Sequence, residues 1–185
     1  MCVNCVSRFM FHVSKRKIKM EKVSINKTIR LSQHYTLGEM TKTGTGIPNI
    51  PSRVSIENLR NICENWLEEM RYDYNTLYCL KPGEDYETSK SVEPVIITSG
   101  FRSEDVNRAV GGSPSSNHLT GCAVDIRCAG FEQAVRYATI LLDIADDTGQ
   151  DYDELFIERK KGGRYWLHFA VRPEDNRRKT GFLQV

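Results

Sequence analysis

The sequence of 185 residues lacks the long apolar run that a membrane-spanning helix requires, because no stretch approaches about 20 consecutive apolar residues. It also lacks an excess of charge of either sign. The 26 basic side chains are nearly balanced by 24 acidic ones, and the formal net charge is +2. This balance gives no electrostatic argument for nucleic-acid binding, and the short basic run at residues 15–19 does not change it. We therefore expect neither stable membrane insertion nor a nucleic-acid partner.

The sequence also lacks a regular disulfide framework, although it contains six cysteines. Cys2 and Cys5 form a C-x-x-C pair, but no second pair follows at the spacing of a zinc ribbon. A chain of this length buries enough apolar surface to fold without disulfides. We therefore expect most of the thiols to be free and reduced.

The beginning of the chain lacks the layout of a signal peptide. A weak apolar patch at residues 9–13 precedes the basic run at 15–19, whereas a signal peptide has its positive residues first. Met20 is a plausible alternative start. We expect residues 1–20 to be a disordered or misannotated extension, and we expect no Sec export.

What the sequence does contain is the pattern of one globular domain. Apolar residues make up 39% of the chain and charged residues 27%, and no internal repeat or low-complexity linker divides it. Residues 31–51 are rich in Thr, Gly and Pro, which predicts a loop with a helical turn at Leu37–Met40. We place the domain at residues 31–172 and interpret residues 173–185 as a charged tail.

Two amphipathic helices and four short strands are predicted within this domain. The first helix has Ser55 as its N-cap and carries apolar residues at helical spacing as far as Met70; the second covers residues 131–144. A short helix follows Ser103 and ends before Gly111. Strands are predicted at residues 94–98, 122–127, 155–158 and 165–171. Helices packed on a small, mainly antiparallel sheet make an α+β domain.

Three polar side chains occur in settings that a simple core does not explain. Asp125 interrupts an apolar strand, and His168 interrupts the last predicted strand. His118 lies in a segment rich in Gly and Ser, without the apolar periodicity that would place it in a core. Burying such groups costs free energy unless they are hydrogen-bonded or bind a cation. On the residues alone, a metal site and a hydrogen-bonded polar cluster both remain open.

Two imidazoles and one carboxylate are a recognised ligand set of catalytic zinc. They leave the fourth tetrahedral position to a water molecule, whose pKa zinc lowers to about 7. His118, Asp125 and His168 are therefore the candidate ligands of one Zn²⁺ ion. The remaining histidines, His12 and His34, receive no role.

Three motifs occur in a fixed order along the chain. They are SGFR at residues 99–102, S-x-H-x-x-G-x-A-x-D from Ser116 to Asp125, and W-x-H at residues 166–168. Together they resemble the zinc peptidases that cut peptidoglycan stem peptides: D-alanyl-D-alanine carboxypeptidases, D-Ala-D-Ala dipeptidases and phage L-alanyl-D-glutamate endopeptidases. The resemblance covers about residues 31–172. It implies a small bacterial or prophage member with the compact α+β fold shared with the hedgehog signalling domain.

The resemblance also implies roles for individual residues. His118, Asp125 and His168 match the zinc ligands of the family. Arg102 matches an arginine that binds the substrate and stabilises the developing oxyanion, a task suited to a permanently charged guanidinium. Ser116 matches a position close to the peptide backbone of the substrate.

One position departs from the family pattern. In the endolysin and dipeptidase branches, a glutamate three residues before the last histidine acts as general base, and here that position is Tyr165. Glu158 or Glu154 on the preceding strand is the candidate in its place. A three-residue hairpin loop would pair Glu158 with Trp166 and bring both glutamates to the face of His168, whereas a loop of two or four residues would turn them away. We favour Glu158 as the base.

The resemblance therefore implies a zinc metallopeptidase of the carboxypeptidase or endopeptidase type, which hydrolyses stem peptides with metal-activated water. The missing E-x-x-H pattern keeps a second hypothesis open: a non-catalytic, metal-stabilised module of the same fold that binds wall peptides or a protein partner. We expect a monomer that is cytoplasmic until it is released, or that a phage-type route delivers to the cell wall.

Overall fold

The computed structural model describes residues 26–185, so the predictions for residues 1–20 and for the C-x-x-C pair lie outside the described residues. In chain order the helices and strands are α1 Leu37–Met40, α2 Arg53–Ile62, α3 Glu68–Tyr78, β1 Ile97–Ser99, α4 Glu104–Ala109, β2 Ala123–Cys128, α5 Phe131–Thr148, β3 Glu154–Arg159, β4 Tyr165–Ala170 and β5 Lys179–Gln184. A π-helical turn, Cys63–Leu67, joins α2 to α3, and a 3-10 turn, Asn117–Thr120, precedes β2. The four cysteines in the described range are free, as predicted. Within residues 26–185, no helix has both the length and the apolar character needed to cross a membrane.

The predicted α+β architecture is confirmed. Five strands form one sheet in the order β1-β2-β4-β3-β5. Neighbouring strands are antiparallel except β3 and β5, which run parallel. The order places β2, β4 and β3 side by side, so the strands that carry Asp125, His168 and Glu158 are direct neighbours.

The alternation of side chains separates a core face of the sheet from an open face. Ile126 and Phe169 are fully buried, and the ring of Trp66 packs on Phe169 with 5.1 Å between the ring centroids. Asp125 and His168 immediately precede these two residues on the same strands and therefore point to the other face. Because side chains alternate between the two faces, Asp125 and His168 lie together on the open face and outside the apolar core.

A continuous helical segment formed by α2, the π turn and α3 supplies much of that core. Its N-cap is Ser52, whose Oγ accepts a hydrogen bond from the N–H of Ser55 at 3.0 Å, so the helix begins at Arg53. The prediction of Ser55 as the N-cap is therefore wrong. Both serines suit a cap, and apolar periodicity does not locate the first turn of a helix.

The loop that carries His118 is seated on α2 through Gly121. The backbone of Gly121 has a φ of +73°, and a Cβ atom at this position would lie 2.4 Å from the carbonyl oxygen of Ser55. Only glycine meets both conditions without strain or overlap. The end of the 3-10 turn therefore packs directly on the first turn of α2, which fixes the height of His118 above the sheet.

The Gly121→Ala variant is expected to lose more than about 2 kcal/mol of unfolding free energy, because the left-handed backbone alone costs an L-residue about 1–2 kcal/mol and the overlap with Ser55 adds to it. Gly149→Ala is the matched control, since Gly149 has a φ of +67° but no atom within 4 Å of the position that a Cβ would occupy. Urea unfolding measures both losses. Equal losses in the two variants would contradict the close approach at Ser55.

The C-terminal residues belong to the sheet. β5 pairs with β3 along its length, with Phe156 opposite Gly181. Just before β5, Arg177 donates two hydrogen bonds of 2.6 Å to the fully buried carboxylate of Asp153. The ordered domain thus continues beyond the boundary predicted at residue 172, and the charges of this segment are used in contacts with β3.

Candidate metal centre

An open cleft of about 670 Å³ lies over the face of the sheet that carries the polar residues. The 3-10 turn and the loop at residues 110–113 form one wall of this cleft. Two adjacent rows of opposed residues cross β2, β4 and β3 beneath it: Asp125, His168 and Phe156, then Arg127, Trp166 and Glu158.

The three predicted ligands converge in this cleft. Each of His118, Asp125 and His168 offers one donor atom, and these atoms all lie within 4.8 Å of one another. Oδ1 of Asp125 is 3.2 Å from Nε2 of His118 and 3.0 Å from Nδ1 of His168. The structure therefore brings together two imidazole nitrogens and one carboxylate oxygen, although His168 follows Asp125 by 43 residues in the chain.

His118 is held at both nitrogens of its ring. Its Nδ1 is 2.6 Å from the carbonyl oxygen of Gly100, which can only accept a hydrogen bond, so Nδ1 carries a proton, and Nε2 is the nitrogen that faces Asp125 and could bind a metal ion. Ser116 accepts a hydrogen bond from the N–H of His118 at 3.3 Å and lines the cleft. The predicted substrate residue Ser116 thus caps the turn that orients His118.

Asp125 is oriented by Arg102. The guanidinium of Arg102 donates from Nη2 to Oδ2 of Asp125 and from Nε to Oγ of Ser99 at 2.8 Å. Burial by itself would raise the pKa of Asp125, but the adjacent His118 and His168 lower it well below its usual range. Asp125 is therefore a carboxylate, with one oxygen held by Arg102 and the other facing both histidines.

His168 lies between two carboxylates. Nδ1 faces Asp125, and Nε2 is 3.5 Å from Oε2 of Glu154. Burial by itself would lower the pKa of His168, but its contacts with Asp125 and Glu154 raise it to about 9. A divalent ion at this site therefore competes with a proton on His168.

The two candidate bases occupy different places. The predicted pairing of Glu158 with Trp166 is confirmed, which puts both glutamates on the face of His168. Glu158 is half-buried and lines the cleft, and burial raises its pKa above the ordinary value. Glu154 lies instead on the far side of the His168 ring from Asp125 and contacts Arg177. Glu158 therefore faces the space in which a substrate would lie, whereas Glu154 faces the C-terminal segment.

The donor set fits a single zinc ion. Bonds of about 2.0–2.1 Å in tetrahedral geometry place neighbouring ligand atoms about 3.3–3.4 Å apart. The separations of 3.2 and 3.0 Å around Oδ1 of Asp125 are close to this spacing. Three ligands also leave one position open toward the cleft. His118, Asp125 and His168 can therefore hold a metal ion with little rearrangement.

Comparison with protein families agrees with this geometry. Residues 84–150 match the family model of Peptidase M15. The matched residues are thus similar to the M15 peptidases, which are a zinc-dependent family, and this similarity supports a peptidase function in general. No curated protein matches the chain.

The match covers only part of the candidate centre. It contains Arg102, His118 and Asp125, and it ends before β3 and β4. His168 and Glu158 lie outside the matched residues: His168 meets the cluster through its 3.0 Å contact with Asp125, and Glu158 shares the same face of the sheet by its register.

Sequence reasoning missed three contributors to the candidate centre. The amide nitrogen of Asn117 donates to Asp153 at 2.8 Å and to Glu154 at 3.0 Å. Arg177 bridges the same two carboxylates. The ring of Phe156 lies nearly parallel to that of His168, with an interplanar angle of 16°. The alternation of β3 could have indicated Phe156, but no local signal predicts that Asn117 and Arg177 meet at Glu154.

Proposed function

We propose that the chain is a zinc-dependent peptidase that hydrolyses amide bonds of peptidoglycan stem peptides. The observation that carries the proposal is the convergence of His118, Asp125 and His168 beside the half-buried carboxyl of Glu158 in one open cleft. The match to the Peptidase M15 family model supports a peptidase activity, and the motifs described above suggest the stem peptides as the substrate class.

His118, Asp125 and His168 would hold the ion. When bound, zinc supplies a Lewis acid that lowers the pKa of a water molecule and polarises the scissile carbonyl. Glu158 takes the proton that the attacking water loses and passes it to the leaving nitrogen. The burial that raises the pKa of Glu158 makes its carboxylate a better proton acceptor, which favours this role over that of a solvated surface glutamate.

Arg102 is placed to act on the substrate as well as on Asp125. Its contacts with Ser99 and Asp125 use Nε and Nη2 and leave Nη1 for the substrate. A guanidinium held at both of those atoms loses little further freedom when it binds a carbonyl oxygen that gains negative charge. We assign to Arg102 the oxyanion contact and to Ser116, which also lines the cleft, a contact with the substrate backbone.

The end of the cleft beyond Glu158 is cationic. Arg127, Lys160 and Arg164 line it, and among the described residues none of the three forms an ion pair. Unpaired cations in a cleft attract an anionic ligand. Stem peptides carry free carboxylates beside their amide bonds, so this end of the cleft favours them over neutral peptides.

Removing two of these charges is expected to lower kcat/KM on stem peptides that carry free carboxylates by about 10-fold or more, because charge-assisted hydrogen bonds are lost. The variant is Lys160→Gln with Arg164→Gln, assayed on matched peptides with free and amidated carboxylates. Lys81→Gln with Lys90→Gln is the control, since these exposed lysines lie in the loop after α3 and lose the same charge. Equal losses on the free and amidated peptides would contradict carboxylate recognition.

The direct test of the proposed function measures zinc and cleavage on the same sample. The purified protein is expected to contain one zinc per chain and to release fragments from synthetic stem peptides or purified cell walls, detected by mass spectrometry. Stoichiometric zinc without cleavage of any wall substrate would refute the enzymatic part. Full zinc content and activity in His118→Ala would refute the ligand assignment.

A second candidate function is a binding module of the same fold, and Tyr165 at the usual place of the family's glutamate is the observation that favours it. Such a module would bind wall peptides through the same cleft without turnover. Substitution of Glu158 separates the two functions, because a binder would retain its affinity and have no turnover to lose.

A further inference from the structure

Glu154 is surrounded by hydrogen-bond donors. Oε2 accepts from Asn117 at 3.0 Å and lies 3.5 Å from Nε2 of His168, while Oε1 accepts from Arg177 at 2.7 Å. The contact with His168 lowers the pKa of Glu154. The carboxylate therefore cannot leave the His168 ring without giving up contacts on both of its oxygens.

Arg177 connects this carboxylate to a second acid, Asp153. Its guanidinium donates to both oxygens of Asp153, which is fully buried, and to Glu154. Asn117 donates to the same two acids from the 3-10 turn that carries His118. The segment before β5 and the turn before β2 thus hold Glu154 from two sides.

We propose that Glu154 is a positioning residue of the metal centre, which accepts the Nε2 proton of His168 and thereby directs the Nδ1 lone pair toward the ion. His118 already has such a partner, because its Nδ1 donates to Gly100 and leaves Nε2 for the ion. Hydrogen-bond partners of this kind fix the tautomer and the orientation of metal-bound histidines. Glu154 gives His168 the corresponding partner, with the opposite ring nitrogen toward the metal.

The proposal deepens the proposed function and rests on it, because it requires that the centre hold zinc. It assigns to the C-terminal segment a part in the centre: Arg177 orients Glu154, which orients His168. Metal affinity should therefore depend on a residue that is far from the ion and touches none of its ligands.

Glu154→Gln is expected to weaken zinc binding by about 10–100-fold. A glutamine has one acceptor oxygen, so its NH₂ group must face Arg177 or the donors of Asn117 and His168. Zinc affinity is measured by chelator competition at the same series of pH values for every variant. The absorption spectrum of the Co²⁺-substituted protein reports the ligand geometry in the same samples.

Two further variants distinguish positioning from a merely structural role. Arg177→Gln removes two charge-assisted hydrogen bonds from the buried Asp153 and leaves Arg172, at 3.6 Å, as its nearest cation, so it should lower the stability of the metal-free protein more than Glu154→Gln does. Its effect on zinc affinity should be smaller, because Glu154 itself remains. Arg178→Gln is the matched control, since its ion pairs with Asp146 and Asp151 lie at the surface.

The proposal is supported if zinc affinity falls most in Glu154→Gln while metal-free stability falls most in Arg177→Gln. It is overturned if the zinc affinities follow the order of the stabilities, or if Glu154→Gln binds zinc as tightly as the wild type with an unchanged Co²⁺ spectrum. A wild-type protein that binds no zinc would instead refute the proposed function on which this inference rests.

Discussion

Glu158→Gln is expected to lower kcat by about 10²–10⁴-fold while zinc remains bound at one ion per chain. Glutamine keeps the size of the side chain but cannot accept and return a proton. Glu158 does not belong to the cluster of donor atoms that could hold the ion, so its substitution leaves the ligand set intact. The measurements are kcat on a stem peptide and the zinc dissociation constant.

Glu174→Gln is the control for this experiment, because Glu174 is an exposed glutamate outside the cleft over the sheet. This substitution should leave kcat and the zinc dissociation constant at their wild-type values. Unchanged turnover in Glu158→Gln would exclude Glu158 as the base. A wild-type protein that binds stem peptides without turnover, and a Glu158→Gln variant with the same affinity, would identify the chain as a binding module.

Asp125→Asn is expected to abolish stoichiometric zinc binding and to lower the unfolding free energy by about 3 kcal/mol, because it leaves the charge of Arg102 without its buried partner. The side chains of Asp125 and Arg102 are only 11% and 18% exposed, so water replaces the lost contact poorly. Thermal unfolding with and without a chelator measures both the loss of zinc binding and the loss of stability. The chelator should lower the Tm of the wild type and leave that of the variant unchanged.

Asp151→Asn provides the matched control for Asp125→Asn. Asp151 also pairs with an arginine, Arg178, but its side chain is 54% exposed, so the pair contributes less than about 1 kcal/mol. This variant should keep its zinc and its response to the chelator. A variant Asp125→Asn that binds zinc as the wild type does would remove Asp125 from the ligand set.

The elements nearest the centre could be predicted because their patterns are local. The polar residues Asp125 and His168 interrupt apolar strands. Because side chains alternate along a strand, both lie on the face opposite the apolar core. The length of the hairpin loop fixed the register that brings Glu158 opposite Trp166. The strand order needed for these residues to meet was not predicted, because periodicity does not fix which strands are neighbours.

Contacts between distant segments could not be predicted from such patterns. Residues 173–185 are charged, which is typical of a solvated tail, yet Arg177 donates hydrogen bonds to Asp153 and β5 pairs with β3. A parallel pairing between segments about 25 residues apart has no local signature in the chain. For the same reason the sequence left Glu154 as an alternative to the favoured base Glu158, whereas the contact of Glu154 with Arg177 distinguishes the two.

The two tryptophans of the chain lie on opposite faces of the sheet, one in the core and one in the cleft. Trp66 is fully buried against Phe169, whereas Trp166 is partly exposed between Arg127 and Glu158. Their emission bands therefore report different events: the blue-shifted band of Trp66 follows unfolding, and the solvent-sensitive band of Trp166 follows occupancy of the cleft. The molecule thus carries one intrinsic fluorescent probe of unfolding and one of cleft occupancy. The signal of each tryptophan can be isolated by replacing the other with phenylalanine.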